Sequence, residues 1–189
     1  RLYTRTSAWP DLIGVLRMRE GATTDASERR ALLARIAAIY EDKLDDVDNA
    51  VIAYNTVLDA SPEDREAIGA LVRLYERMQK WPDLLDLLEI QLRLATKPAE
   101  RAALLFRMAE LRRTRTGEPE RAIEALRDVI TADPKHPGAR AALESMLGDD
   151  LLRLEAARVL GPLYEQEAAY AKLLGLVEIE AEMTDDPVE

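Results

Sequence analysis

The 189-residue sequence predicts an all-α fold assembled from helix pairs. Three observations carry this expectation. Apolar residues recur at i, i+3 and i+4 along the chain, and no stretch sustains the period of two that a strand requires. Breakers containing Pro or Gly fall between the apolar stripes. The sequence also repeats itself at a fixed offset, Trp9-Pro10-Asp11-Leu12 recurring as Trp81-Pro82-Asp83-Leu84, as stacked helical units do.

The helices follow in order. Trp9-Pro10-Asp11 opens the first, over 10–21. A proline in the first turn sacrifices no helical hydrogen bond, and the aspartate meets the positive end of the helix dipole. Leu32, Leu33, Ile36, Ile39 and Tyr40 form one stripe on a helix over 27–43. The acidic loop Asp42 to Asp46 separates it from a helix over 47–60, and Ser61-Pro62-Glu63 starts the next, over 63–79. Trp81-Pro82-Asp83 repeats the opening signal, followed by Leu84, Leu85, Leu87, Leu88, Leu92 and Leu94 on 81–95. Lys97-Pro98 begins 98–115, whose last turn carries Arg112, Arg113 and Arg115 beside the negative helix end. Gly117-Glu118-Pro119 and Asp133-Pro134 then bound helices over 118–132 and 137–147. Two more are expected over 150–168 and 169–183, with Gly161-Pro162 kinking or splitting the former.

The repeat is internally consistent. From Trp9 to Tyr75 the first two copies share 21 identities at the offset of 72, with no gap, which is far above chance. A third copy lies at an offset of 89 from the second, matching Leu74-Tyr75 with Leu163-Tyr164 and placing Tyr170 at the position of Trp81. The excess of 89 over 72 amounts to one extra helix, around Gly148 to Val159. The expected copies are therefore 9–80, 81–152 and a divergent 153–189, forming a single array over 1–189. The stretch 1–8 aligns with 73–80 and the stretch 187–189 with 98–100, so the chain is expected to be a segment of a longer array. Tyr3, Tyr75 and Tyr164 each stand at the same short spacing before Trp9, Trp81 and Tyr170, and this spacing predicts buried packing sites between helix pairs.

Each of the first two copies divides into two helix pairs, and each pair resembles the tetratricopeptide repeat. The first carries Leu33, Ile36, Ala37 and Tyr40 in its first helix, then Ala50, Tyr54 and Pro62. Its counterpart carries Ala109, Ala122, Leu126 and Pro134. Small residues let two antiparallel helices approach, and large ones fill the space beside them. The intervening pair departs from the pattern, with Val72 and Leu84 at small-residue positions. The resemblance implies a right-handed α-solenoid of about ten helices that acts as a protein-interaction scaffold. It would bind a peptide or helix on a concave surface lined by the first helix of each pair. The groove positions would be Ala34, Ala38 and Glu41, then Gly69, Arg73, Glu76 and Arg77, then Phe106, Glu110 and Arg113. Of these, Arg73, Arg77, Phe106, Glu110 and Arg113 are the candidate partner-binding residues. Phe106 stands where the preceding copy has Ala34, so it is either a binding anchor or a filler between neighbours. The alternative function is a structural or regulatory spacer within a larger multidomain protein, whose partners are other segments of its own parent chain.

Composition narrows the function further. A net charge of −10 argues against a nucleic-acid partner, which needs a basic face. No apolar run approaches the roughly 20 residues of a membrane span. With no cysteine and one histidine, thiolate and multi-histidine metal sites are ruled out, and no cofactor is implied. Asp45-Asp46-Val47-Asp48 lacks the glycine and terminal glutamate of a calcium loop, and Asp149-Asp150 and Asp185-Asp186 read as helix-end residues. His136, between prolines, reads as a surface turn, and no catalytic motif appears, so no enzymatic activity is expected. The Arg112, Arg113 and Arg115 run reads as a favourable helix end or as a docking patch for an acidic partner. A compact chain of this length would have a radius of gyration of about 16 Å. The array predicts a clearly larger value by small-angle X-ray scattering, and a value at or below the compact figure would indicate a closed bundle.

Overall fold

The computed structural model describes residues 8–184. Among them lie ten α-helices and no strand: α1 (Trp9–Ala22), α2 (Ala26–Asp42), α3 (Val47–Ala60), α4 (Arg65–Met78) and α5 (Trp81–Leu94), then α6 (Pro98–Leu111), α7 (Pro119–Ala132), α8 (Pro137–Met146), α9 (Arg153–Gln166) and α10 (Tyr170–Thr184). Within α1–α5 and again within α6–α10, helices that follow one another in sequence pack as antiparallel neighbours, α2 with α3 and α6 with α7 most extensively. The offset of 72 holds in the secondary structure. Trp9 and Trp81 each begin a helix, Val47–Ala60 and Pro119–Ala132 span equivalent positions, and Arg65 and Pro137 begin equivalent helices.

The chain forms two compact units, Arg1–Leu94 and Ala95–Glu189. In the first, Ala37 of α2 and Ala50 of α3 are wholly buried, beside Val57, Leu71, Leu84 and Leu88. In the second, Ala109 of α6 and Ala122 of α7 take the same roles, with Leu126, Val129, Leu143 and Leu160 around them. Helix starts are fixed by short polar caps. Asp25 accepts from the Ser27 and Glu28 amides, Asp46 from Asn49, and Asp64 from Glu66 and Ala67. His136 caps α8 through Nδ1, which accepts from the Ala139 amide at 3.1 Å.

Helix ends show a second regularity. Asp45 and Gly117, equivalent at the offset of 72, both adopt positive φ, and the next amide reaches back to Tyr40 O or Arg112 O. Before Gly117 the backbone widens into one π turn, Arg112–Thr116, where the sequence predicted plain α-helix to residue 115. Gln79 and Ala168, equivalent at the offset of 89, likewise have φ of 56° and 53°, with the following amide bonded to Tyr75 O or Tyr164 O.

Two further details differ from the sequence expectation. The helix around Gly161-Pro162 does not split: α9 runs unbroken through Pro162, which is solvent-exposed while Val159, Leu160, Leu163 and Tyr164 anchor the helix. Its start is also later than residue 150, because the Asp149 side chain accepts from the Leu151 amide and holds 149–152 in a turn. An alanine in the left-handed region costs roughly 1–2 kcal/mol relative to its ordinary conformation. Ala168→Gly is therefore expected to raise stability by about 1 kcal/mol in urea unfolding, whereas Gly117→Ala should lower it by a similar amount.

Candidate interaction surface

In the first unit the groove positions lie on α2 and α4, and ion pairs connect these helices along their length. Arg30 near the start of α2 donates through Nε to the Asp64 carboxylate that caps α4, and through Nη2 to Glu66. Near the other end, Arg73 Nη2 donates to Glu41 Oε1 at 3.0 Å, and Arg77 holds Asp45 with two bonds of 2.8 and 3.1 Å. The starts of the two helices thus face each other, as do their ends, so α2 and α4 run parallel. This is the relation between the first helices of successive pairs. Glu41 also accepts from the Tyr54 hydroxyl of α3 at 2.9 Å, which joins three helices through one carboxylate. Arg73 and Arg77 keep 62% and 54% of their side-chain surface open, so they are placed by these bonds without being buried.

Electrostatics follow from this geometry. The hydrogen bond from Arg30 lowers the Asp64 carboxyl below its ordinary value, assisted by the Ala67 and Glu66 amides and opposed by burial. The hydrogen bond and charge of Arg77 lower Asp45 in the same sense. Burial, then the bond to Glu41, raises the Tyr54 phenol.

The equivalent seam of the second unit uses different chemistry. At the offset of 72, Arg30 becomes Ala102, Ala34 becomes Phe106, Asp64 becomes His136 and Glu66 becomes Gly138. The Phe106 ring lies 4.7 Å from the His136 ring, and a Cβ added to Gly138 would meet Phe106 Cζ at 2.6 Å. Phe106 is therefore partly buried in the space that the loss of two charged side chains leaves, and it packs against the core of its unit. Glu110 and Arg113 pair with each other along α6, at 3.1 and 3.0 Å, with 35% of each side chain exposed. Within its own unit each candidate residue thus occupies a first helix or its immediate continuation: Arg73 and Arg77 on α4, Phe106 and Glu110 on α6, and Arg113 in the π turn that extends it.

The sequence reading missed the ion row itself. A signal was present, since Glu41 and Arg73, and likewise Asp45 and Arg77, are opposite charges 32 residues apart. Tyr170 overturns the expectation of burial, being 74% exposed while its partner Tyr164 is 2% exposed. The reason is that α10 is held to its neighbours through Leu176, Leu173 and Ile179, on the side away from Tyr170, Leu174 and Val177. Trp9 and Trp81 are partly buried, and Tyr3 and Asp185-Asp186 lie outside the described residues. Asp46 and Asp149 serve as cap and turn acceptors, and among the described residues no group of three or more His, Cys, Asp or Glu could hold a metal. No helix among them is long and apolar enough to cross a membrane.

Sequence comparison agrees with this helix pairing. The tetratricopeptide repeat description matches residues 67–102 and again residues 103–136. Residues 67–136 of the chain thus match the tetratricopeptide repeat family. The two matched segments take in α4, α5, α6 and α7. A crystal structure of MamA superposes with a TM-score of 0.49 at 18% identity, covering 90% of this chain and 95% of that one. Another structure, MamA MSR-1 C2, gives 0.43 at 13% identity, covering 98% and 92%. No curated protein matches the chain.

The buried Asp64 yields a test of the seam. Its side chain is 1% exposed, caps α4 and binds Arg30. A carboxyl lowered in the folded state stabilises the fold above its unfolded pKa of about 3.9, and that contribution is lost as pH falls through the lower folded value. Asp64→Ala is expected to cost about 2 kcal/mol at pH 7. The difference from the parent should shrink in urea melts below pH 3, and a difference independent of pH would remove the ion pair from the account.

Proposed function

We propose that this chain is a protein-interaction scaffold that binds a peptide or helix on the concave surface formed by its first helices, without catalysing a reaction. The observation that supports this reading is the state of Arg73 and Arg77. Each is positioned by a carboxylate from the neighbouring first helix or the loop that follows it, yet remains more than half exposed. A guanidinium carries five N–H donors, so a partner carboxylate can add to the one already bound. Its position is fixed before the partner arrives, which lowers the entropy lost on binding. In the second unit, Phe106 supplies apolar surface beside the Glu110–Arg113 pair.

The same pairing also favours a second reading, in which these charges serve the fold and the chain is a structural or regulatory spacer touching other segments of its parent. Capture experiments separate the two. Arg73→Gln/Arg77→Gln is expected to weaken partner capture at least about tenfold, equivalent to some 1.4 kcal/mol. A control with Asp59→Lys/Asp86→Lys, on exposed positions of α3 and α5, should capture normally. Helicity of both variants is checked by circular dichroism. Equal capture by both variants would favour the spacer.

A further inference from the structure

The second unit holds a cleft that the groove reading does not use. It lies between α7 and α9 and has a volume of about 320 Å³. Ile130 of α7 and Val159 and Leu163 of α9 supply its apolar surface, each 6–7% exposed. Arg127 and Arg158 also line it, and none of its lining residues is acidic. Both guanidiniums bind the single carboxylate of Glu155, which joins the two helices at one edge. Two positive charges therefore share one negative charge, and both arginines keep about half their surface open, 49% and 57%.

The repeat does not require either arginine. At the offset of 72 Arg127 corresponds to Asn55, and at the offset of 89 Arg158 corresponds to Gly69. Pro134 and Pro162, which add no N–H donor, line the cleft as well. The cleft thus combines an apolar surface with an excess of cationic donors.

We propose that this cleft docks a short acidic–aliphatic peptide segment of a partner protein. An aliphatic side chain of the segment rests on Ile130, Val159 and Leu163. A neighbouring carboxylate takes the guanidinium donors that Glu155 leaves unused. Such a carboxylate offsets the local positive charge, whereas a basic segment would add to it. The proposal rests on the scaffold reading for its biological setting, but the cleft is tested directly.

The probe is the acetylated and amidated tetrapeptide Leu-Asp-Leu-Glu, titrated into the full methyl-labelled chain and followed by NMR. Saturable shifts are expected at the methyl groups of Ile130, Val159 and Leu163. Arg127→Gln/Arg158→Gln should weaken binding at least tenfold with the helical content kept, and Leu-Lys-Leu-Lys should not bind. Should the double variant lose its fold, Arg158→Gln alone, which leaves the Arg127–Glu155 pair, provides the comparison and should weaken binding severalfold. Absence of shifts at the three residues, equal affinity for the folded arginine variant, or equal binding of the lysine peptide would overturn the proposal. Arg73→Gln/Arg77→Gln should leave the titration unchanged. Loss of partner capture by that variant, with no peptide at the cleft, would overturn the cleft and leave the scaffold reading standing.

Discussion

The distance between paired helices is set by alanine. Ala37 and Ala50 in the first unit, and Ala109 and Ala122 in the second, have no exposed surface, and each couple sits on two helices that pack extensively. Ala139 and Ala156 repeat the arrangement on α8 and α9. A methyl group at a crossing lets two backbones approach closely, and the larger side chains to either side then fill the volume left between the helix surfaces. The wholly buried Val57 and Leu71, and their counterparts Val129 and Leu143, occupy that volume. Enlarging one alanine would push the helices apart and open space around its neighbours. The identities that reveal the repeat follow from this, because alanine, leucine and valine recur at the crossings where substitution is costly.

The seams between successive first helices obey a weaker rule. They need contact, but not one particular chemistry. The first unit makes its seam from Arg30 with Asp64 and Glu66, Arg73 with Glu41, and Arg77 with Asp45. Its second-unit equivalent changes four positions together, and a ring resting on glycine and histidine replaces an ion pair. None of these changes works alone. Phe106 beside a glutamate at 138 would collide, and Asp64 without Arg30 would leave a buried carboxylate unpaired. His136 keeps the capping role of Asp64 because a neutral imidazole nitrogen accepts a hydrogen bond as a carboxylate oxygen does. Chemical identity is thus free to vary at the seams, which are also where side chains remain exposed.

This division explains what was legible in the sequence. Helix positions were, because Trp-Pro-Asp, Ser-Pro-Glu and Gly-Glu-Pro encode local starts and stops through backbone chemistry alone. The buried alanines were, because the repeat marks them. The seam was only half legible: Phe106 stood out against Ala34, but its contact with Gly138 depends on how α7 folds back to bring α8 beside α6. The Arg73 and Arg77 pairs left only a long-range signal, the shared separation of 32 residues between opposite charges, and no local signature. Tyr170 misled because its spacing from Tyr164 copies Trp81 and Tyr75, while burial is decided by which neighbours surround a helix.

The chain gains one helix between its second and third copies. α8 satisfies both registers. Its buried Ala139, Ala142, Leu143 and Met146 correspond to Ala67, Ala70, Leu71 and Leu74 at the offset of 72, and to Ala50, Ala53, Tyr54 and Val57 at the offset of 89. All eight counterparts are buried as well. One short helix can therefore end one copy and lead into the next. Adding a single helix to an alternating array reverses the phase of everything after it. α9 has the sequence of the first helix α4, yet it contacts the second helix α7 and shares Glu155 with Arg127. α10 copies the second helix α5, yet Lys172 reaches the Glu144 carboxylate on α8, a first helix by alternation. Some original contacts survive the exchange: the Tyr164 hydroxyl donates to Glu144 where, 89 residues earlier, Asn55 donates to the Tyr75 hydroxyl. Tyr170 stays exposed on α10, and Arg127 and Arg158, two departures from the repeat, meet at the same cleft.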